Sequence, residues 1–278
     1  DYAANFHITR IIGTACRQYG TYFGYEPAGP VDTNGIVARI YNAVASGAWE
    51  LFHYDNPPQG ERGDQYKRYL DLMQIREPVI EVGFFWSRTS TDLNLQRGLE
   101  EAAHAVRDRA DAAYIDEQLI ADGALNGLKM FVWASGSVTE PGTAHAIQQA
   151  VEKGLTLIVP EGWLAASPEG DALFPSESTK HRSKSKAVAV ASSSSRPRVT
   201  HIGDGAVIQS TSNRAESVAE VLAAVIQKPA LFGVPGLSPE ASVDAKPDNV
   251  YVTVTTQDIL LYNHGDEAQT LTMPTRTV

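Results

Sequence analysis

The stretch GYEPAG, residues 24–29, carries one carboxylate, Glu26, out of a short apolar segment and into a Pro/Gly loop. Further on, a second apolar segment ends in FHYD, which adds His53, Tyr54 and Asp55. Carboxylates serve as nucleophiles or as general acids and bases, and aromatic faces pack against the C–H surfaces of sugars. A carboxylate among aromatic and polar groups therefore suits sugar chemistry. Glu26 is the candidate catalytic group, with Tyr25, His53 and Tyr54 as candidate substrate contacts. The residues alone leave a second reading open, in which Glu26 is a loop glutamate held in a structural hydrogen bond.

Other constellations are weaker. The single cysteine, Cys16, excludes an intrachain disulfide and a cysteine metal cluster, and is expected on the buried side of a helix as an inert small hydrophobe. Seven histidines are scattered with no H-x-x-x-H or H-x-x-E-H pair, so no metal is expected. SGSVTEPG fits neither a P-loop nor a dinucleotide fingerprint, and no cofactor is expected. Ser135 or Ser137 would need a positioned base to act as a nucleophile, whereas His104 and His145 fall in helical patterns that favour a solvated face.

The elements that must position Glu26 follow from periodicity. Residues 4–19 read as an amphipathic helix with Phe6, Ile8, Ile11, Ile12 and Ala15 on its inner face. A strand at about 20–25 precedes Glu26, and TNGIVARIYNAVASGA reads as a second helix, capped by Thr33 or Asn34 and ended by Gly47. A strand from Trp49 to Asp55 follows. Helix–strand–helix–strand with short links is the alternation of a parallel α/β fold. Two such strands cannot make a stable sheet covered on both faces, so this segment reads as the end of something larger. In a (β/α)8 barrel, functional residues lie at the C-terminal ends of strands, which is where Glu26 falls.

From about residue 78 the pattern changes. Strands at PVIEVGFFWS, LKMFVW and LTLIVP alternate with helices, among them DLNLQRGLEEAAHAVRDR with Leu93, Leu95, Leu99, Ala103 and Val106 facing inward. RVTHIGDGAVIQS suits a hairpin turning at 203–205, and a last helix follows in RAESVAEVLAAVIQK. The sum is a flavodoxin-like layered domain. In the tail, Val250, Val252 and Val254 alternate along one segment and Ile259 and Leu261 along the next, an antiparallel signal. The expected domains are 1–76, the C-terminal part of a barrel with its linker; 77–228, flavodoxin-like; and 229–278, a linker and small β domain.

Composition bounds the partners. The chain has 278 residues and a formal net charge of −10, which disfavours nucleic acid as the main ligand. Residues 179–198 hold six Lys/Arg and no Asp or Glu, and read as a solvated surface loop. No apolar run approaches the ~18 residues of a membrane span. The chain opens at DYAANF without a methionine, as a processed protein or a fragment would.

Residues 114–160, above all DEQLIADGAL and LKMFVW…VTE, resemble the amidotransferase-like domain of family 42 β-galactosidases. The tail DILLYNHGDEAQTLTMP is similar to the closing β-domains of such glycosidases. The resemblance implies a (β/α)8 barrel first, an amidotransferase-like domain that commonly builds a trimer second, and a small β-sandwich last. It also implies that residues 1–55 run from about the sixth helix of the barrel to its eighth strand. Glu26 then ends strand seven as the nucleophile of a retaining β-glycosidase acting on a β-glycoside or oligosaccharide. The acid/base carboxylate would belong to strand four, which this chain lacks, so the chain alone is expected to be inactive. The GYEPAGPVD context leaves another β-glycoside specificity open beside galactoside. Against the enzyme stands a non-catalytic carbohydrate-associated scaffold, and a hydrolase or transferase centred on the flavodoxin-like domain is a third reading.

Overall fold

A computed structural model describes residues 2–26, 29–52, 59–94, 98–134, 136–163, 165–170, 196–226, 249–265 and 267–268. His53, Tyr54, Asp55, Leu95, Ser135 and nearly all of the basic stretch 179–198 lie outside the described residues. In chain order the elements begin with α1 (Tyr2–Gln18), β1 (Gly24–Tyr25), α2 (Thr33–Ala45), β2 (Glu50–Leu51) and α3 (Glu61–Arg68). They continue with a 3-10 turn (Leu70–Leu72), β3 (Val82–Phe85), α4 (Arg88–Asp92), α5 (Leu99–Arg107), β4 (Ala113–Ile115), α6 (Glu117–Ala121) and β5 (Met130–Val132). Last come α7 (Pro141–Glu152), β6 (Thr156–Val159), β7 (Arg198–Ile202), β8 (Gly205–Gln209), α8 (Ala215–Ile226), β9 (Val250–Val254) and β10 (Ile259–Asn263). The chain divides into two compact units: Asp1–Glu81 with Ala103–Tyr114 and Ala223–Val278, and Val82–Ala102 with Ile115–Leu222.

In the first unit, β1 and β2 pair in parallel, and β9 and β10 form an antiparallel hairpin. Ile36, Ile40, Tyr41 and Val44 of α2, Phe6 of α1, and Tyr251 and Leu260 of the hairpin share one apolar cluster, on which Leu51 also packs. All five residues of β9 are buried, although alternation alone would leave every second one in water. On the face that carries Tyr251 and Thr253, Arg107 donates to Thr253 Oγ1 at 3.1 Å and, through the strand backbone, to the Val252 carbonyl at 3.1 Å, so a charged side chain shares that face with the apolar cluster.

Arg107 belongs to a buried ionic cluster. Asp111 meets Arg10 of α1 at 3.0 Å and Arg107 at 3.2 Å, both guanidiniums being 1% exposed. Arg107 also donates to the Tyr41 hydroxyl, which lies 3.0 Å from Thr253 Oγ1. The Phe6 ring sits between the two cations, 4.9 Å from Arg10 Cζ and 4.5 Å from Arg107 Cζ. Stacking on aromatic faces suits guanidinium, which is delocalised and weakly hydrated.

This cluster corrects the expected face of α1. Phe6 is buried, but Ile8 is 61% and Ile12 43% exposed, while His7, Arg10 and Thr14 are buried in their place. The helix turns its polar stripe inward because its partners there are Asp111 and Tyr114, about one hundred residues away in sequence. Cys16 is half-buried, and what burial it has pushes its thiol up.

The second unit is built on a six-stranded sheet in the order β4-β3-β5-β6-β8-β7. Strands β3, β5, β6 and β8 run parallel, and β7 returns antiparallel to β8 through a turn at 203–204. The near-continuous apolar runs are fully buried, as parallel strands covered on both faces require. The expected long helix over 92–109 is two helices. Asn94 (φ 57) and Gly98 (φ 75) adopt left-handed backbone that ends one and precedes the next, and this leaves Leu93 48% exposed. Leu99, Ala103 and Val106 are buried as expected.

Replacing Asp111 by Asn leaves two buried guanidiniums without a countercharge. Urea unfolding should show a loss of about 3–5 kcal/mol, the usual cost of breaking a buried ion pair. A loss below 1 kcal/mol would contradict the place given to this residue. A second prediction concerns His7, whose Nδ1 lies 2.7 Å from the Tyr114 hydroxyl. Burial first, then the nearby His104 and Arg107, push its pKa from 6.5 down to about 3. The unfolded chain binds a proton at this site below pH 6.5 while the native state does not, so stability is full above pH 6.5 and falls progressively towards pH 3. His7→Gln should flatten the urea midpoint between pH 6.5 and 4 relative to the parent protein. An unchanged pH dependence would refute the assignment.

Candidate functional site

Glu26 directly follows β1 and is exposed. The strand end is fixed by its parallel neighbour, with Gly24 opposite Glu50 and Tyr25 opposite Leu51. Two further backbone bonds extend the ladder: Trp49 N donates to the Phe23 carbonyl at 3.0 Å and Phe52 N to the Tyr25 carbonyl at 2.9 Å. Side chains alternate across this pair. Tyr25 and Leu51 turn away from solvent, whereas Gly24, Glu26, Glu50 and Phe52 are all exposed. The pair thus has one face packed and one open, and Glu26 stands on the open face at the C-terminal end of its strand. Glu50 lies across Gly24, where an added Cβ would come within 2.7 Å of Glu50 Oε1. Glycine at 24 therefore makes room for a second carboxylate on the same face.

Helix α2 holds this arrangement from behind. Its N-cap is Asp32, whose carboxylate accepts from Gly35 N at 2.8 Å, and not Thr33 or Asn34 as the sequence suggested. Asp32 has the extended backbone that a cap requires, while Thr33 already belongs to the helix. From Gly35 to Ala45 nearly every residue of α2 is buried, and Gly47 (φ 78) follows the C-cap Ser46. Arg39, also buried, donates through Nη2 to the Gly29 carbonyl at 2.8 Å and so ties the helix to the loop after Glu26.

Of the expected site residues, Tyr25 and Glu26 adjoin at the end of β1 but turn to opposite faces, Tyr25 being only 9% exposed and so not on the face of Glu26. His53 and Tyr54 lie beyond β2, outside the described residues. Sequence reasoning passed over Arg39, and it set Glu50 aside as a second catalytic carboxylate because Glu50 belongs to the last strand of the segment. The signal for Arg39 is a lone cation in the apolar run IVARIYNAVA. Glu50 is legible only from the register, which sets it opposite a glycine.

The second unit offers a different picture. In a doubly wound sheet, ligands gather where the strand order reverses, here beyond the C-terminal ends of β3 and β5. Beyond the end of β3, residues 87–89 are bonded to Glu117, which follows β4 and accepts from Ser87 Oγ at 2.8 Å, Arg88 N at 2.8 Å and Thr89 N at 3.1 Å. His145 is exposed on α7, its Nε2 2.9 Å from the Gln149 amide nitrogen, and it is bonded to no serine among the described residues. His104 is not on a solvated face: it is half-buried, with its ring 4.4 Å from that of His7. Among the described residues no three His, Cys, Asp or Glu side chains converge as metal ligands, and no helix is long and apolar enough to cross a membrane.

No protein-family model matches the chain, and no curated protein matches it in sequence. Solved structures do. A β-galactosidase from Halorubrum lacusprofundi superposes with a TM-score of 0.64 at 14% identity, over 95% of this chain and 50% of that one. The cold-adapted β-galactosidase of Rahnella sp. R3 gives 0.61 at 13% identity, over 96% and 54%. A GH42 β-galactosidase from G. stearothermophilus gives 0.59 at 10% identity, over 96% and 52%. The fold is therefore that of GH42 β-galactosidases, a mixed α/β structure with a parallel-rich sheet and a separate antiparallel hairpin, and the chain spans about half the length of the structures it matches.

Proposed function

We propose that this chain is the C-terminal portion of a retaining β-glycosidase, with β-galactosides as the first candidate substrates and Glu26 as its nucleophile. The observation that bears most on this reading is the place of Glu26: the C-terminal end of a parallel strand, on the open face of a strand pair backed by a buried helix. Parallel strands are normally covered on both faces, so the exposed row of Gly24, Glu26, Glu50 and Phe52 favours closure by further barrel strands. The likeness of the fold to β-galactosidases supports the substrate class.

In this reading, a carboxylate oxygen of Glu26 attacks the anomeric carbon as the bond to the leaving oxygen breaks. A carboxylic acid from a strand outside this chain, about 5–5.5 Å from Glu26, protonates that oxygen. Water then attacks the glycosyl ester, giving its proton to the same second carboxylate, and Glu26 is released. His53 and Tyr54 are the proposed sugar contacts. The burial of Tyr25 favours a supporting role for it, fixing the strand end beneath the reacting carboxylate. Assembly as a homo-oligomer, a trimer by family resemblance, belongs to the same proposal.

The test uses the protein with its upstream barrel sequence present. Incubated with a 2-deoxy-2-fluoro-β-galactoside, it should accumulate a covalent adduct on the peptide that contains Glu26, located by peptide mass. An adduct on another carboxylate would displace Glu26 from this role. No adduct, together with no hydrolysis of a panel of aryl β-glycosides, would favour the non-catalytic scaffold instead.

A further inference from the structure

We propose that Arg39 is a positioning residue for the Glu26 carboxylate, an inference that rests on the glycosidase reading of the same site. The side chain of Glu26 makes no hydrogen bond or ion pair among the described residues. Its place is therefore set by the backbone on either side of it. Behind Glu26 the backbone is held by the β-ladder, through the bond from Phe52 N to the Tyr25 carbonyl. Ahead of it, three residues on in sequence, the Gly29 carbonyl accepts from Arg39 Nη2 at 2.8 Å.

Three features make this contact more than a stray surface bond. Arg39 is 4% exposed, and burying a guanidinium is costly unless it is well paired. It projects from a helix buried along nearly its whole length, and helical side chains lean back towards the N-terminus, here towards the loop that leaves Glu26. Gly29 has φ 75, a left-handed conformation that residues with a Cβ adopt only at a cost, and this turn directs its carbonyl to the arginine. Tyr25, directly before Glu26, is thus held by the ladder, and Gly29, three residues beyond Glu26, by a buried cation. A nucleophile must be held to within a fraction of an ångström, and a misplacement of about 1 Å can cost about a hundredfold in rate. Arg39 touches neither substrate nor reacting atoms; its effect reaches them through the backbone at Gly29.

The experiment compares Arg39→Met and Arg39→Lys with the parent in the protein that carries its upstream barrel. Three quantities are read: the rate of 2-fluoroglycosyl adduct formation on Glu26 at saturating inhibitor, kcat against KM for an aryl β-glycoside, and the urea midpoint. Arg39→Met should lower both kcat and the trapping rate about ten- to a hundredfold, with KM changed less than about threefold. Arg39→Lys, which keeps the charge but loses the planar fork, should recover part of that loss. If Arg39→Met does not fold, Arg39→Lys alone decides, and a trapping rate equal to the parent's overturns the proposal. A folded Arg39→Met with a lowered urea midpoint but unchanged kcat and trapping rate also overturns it, reducing Arg39 to a stabilising contact. Absence of any Glu26 adduct in the parent removes Glu26 as the nucleophile, and this inference with it. An adduct in the parent with no change in the variants removes this inference alone.

Discussion

One carboxylate, Asp111, neutralises two guanidiniums that are both out of water, and the packing of the first unit is organised around that imbalance. Two cations against one anion leave an excess positive charge in an apolar interior, which would be prohibitive without further partners. The structure supplies them from four separate stretches of chain. Phe6 and Arg10 come from α1, Tyr41 from α2, Arg107 and Asp111 from α5 and the segment after it, and Tyr251, the Val252 carbonyl and Thr253 from β9. Hydrogen bonds to the Tyr41 hydroxyl and the Thr253 oxygen, and the faces of Phe6 and Tyr251, spread the charge that Asp111 leaves over. Arg76, held at 2.7 Å by Asp258 in the turn between β9 and β10, ties the hairpin to the segment after the 3-10 turn. Because the network joins helices to hairpin, α2 cannot shift without disturbing it.

The candidate site inherits its rigidity from that helix. One face of α2 carries Tyr41 into the ionic cluster, while Ile36, Ile40 and Val44 share a core on which Leu51 of β2 packs. The strand pair therefore rests on an element anchored elsewhere. On the far face of the pair Glu26 and Glu50 are exposed, with Glu50 opposite Gly24. A side chain presented by so short a strand would wander if its backbone were free. The ladder with β2 holds Tyr25 just before Glu26, and Arg39 binds the Gly29 carbonyl three residues beyond it.

Much of this was legible in the sequence, and the failures have a common cause. The end of β1 at Tyr25, the Gly47 stop, the β7–β8 hairpin and the β9–β10 pair follow from local rules: turn residues, apolar runs and alternation. What local rules cannot see is a buried polar stripe whose partners lie far off in sequence. Ile8 and Ile12 read as the inner face of α1 because they are apolar, yet Arg10, His7 and Thr14 are inside because Asp111 and Tyr114 are there to receive them. Asn94 and Gly98 split a helix whose apolar spacing continues through the break. At the site, the position of Glu26 at a strand end was readable from the Pro/Gly loop that follows it. The facing of Glu50 onto Gly24, and the reach of Arg39 back to Gly29, needed register and three-dimensional direction.

Likeness to β-galactosidases at 10–14% identity fixes the fold and leaves the chemistry to the residues of this chain. The central claim is that Glu26 forms the bond to the sugar, and azide rescue addresses it most directly. In the protein with the proposed upstream barrel, Glu26→Gly removes the proposed nucleophile and, on that reading, leaves space on the α face of the anomeric carbon. With sodium azide and an aryl β-glycoside bearing a good leaving group, azide should attack from that face in a single inverting displacement, and the product should be the α-glycosyl azide. A β-glycosyl azide would assign Glu26 to the acid/base role, and hydrolysis undiminished by the substitution would show that Glu26 does not take part.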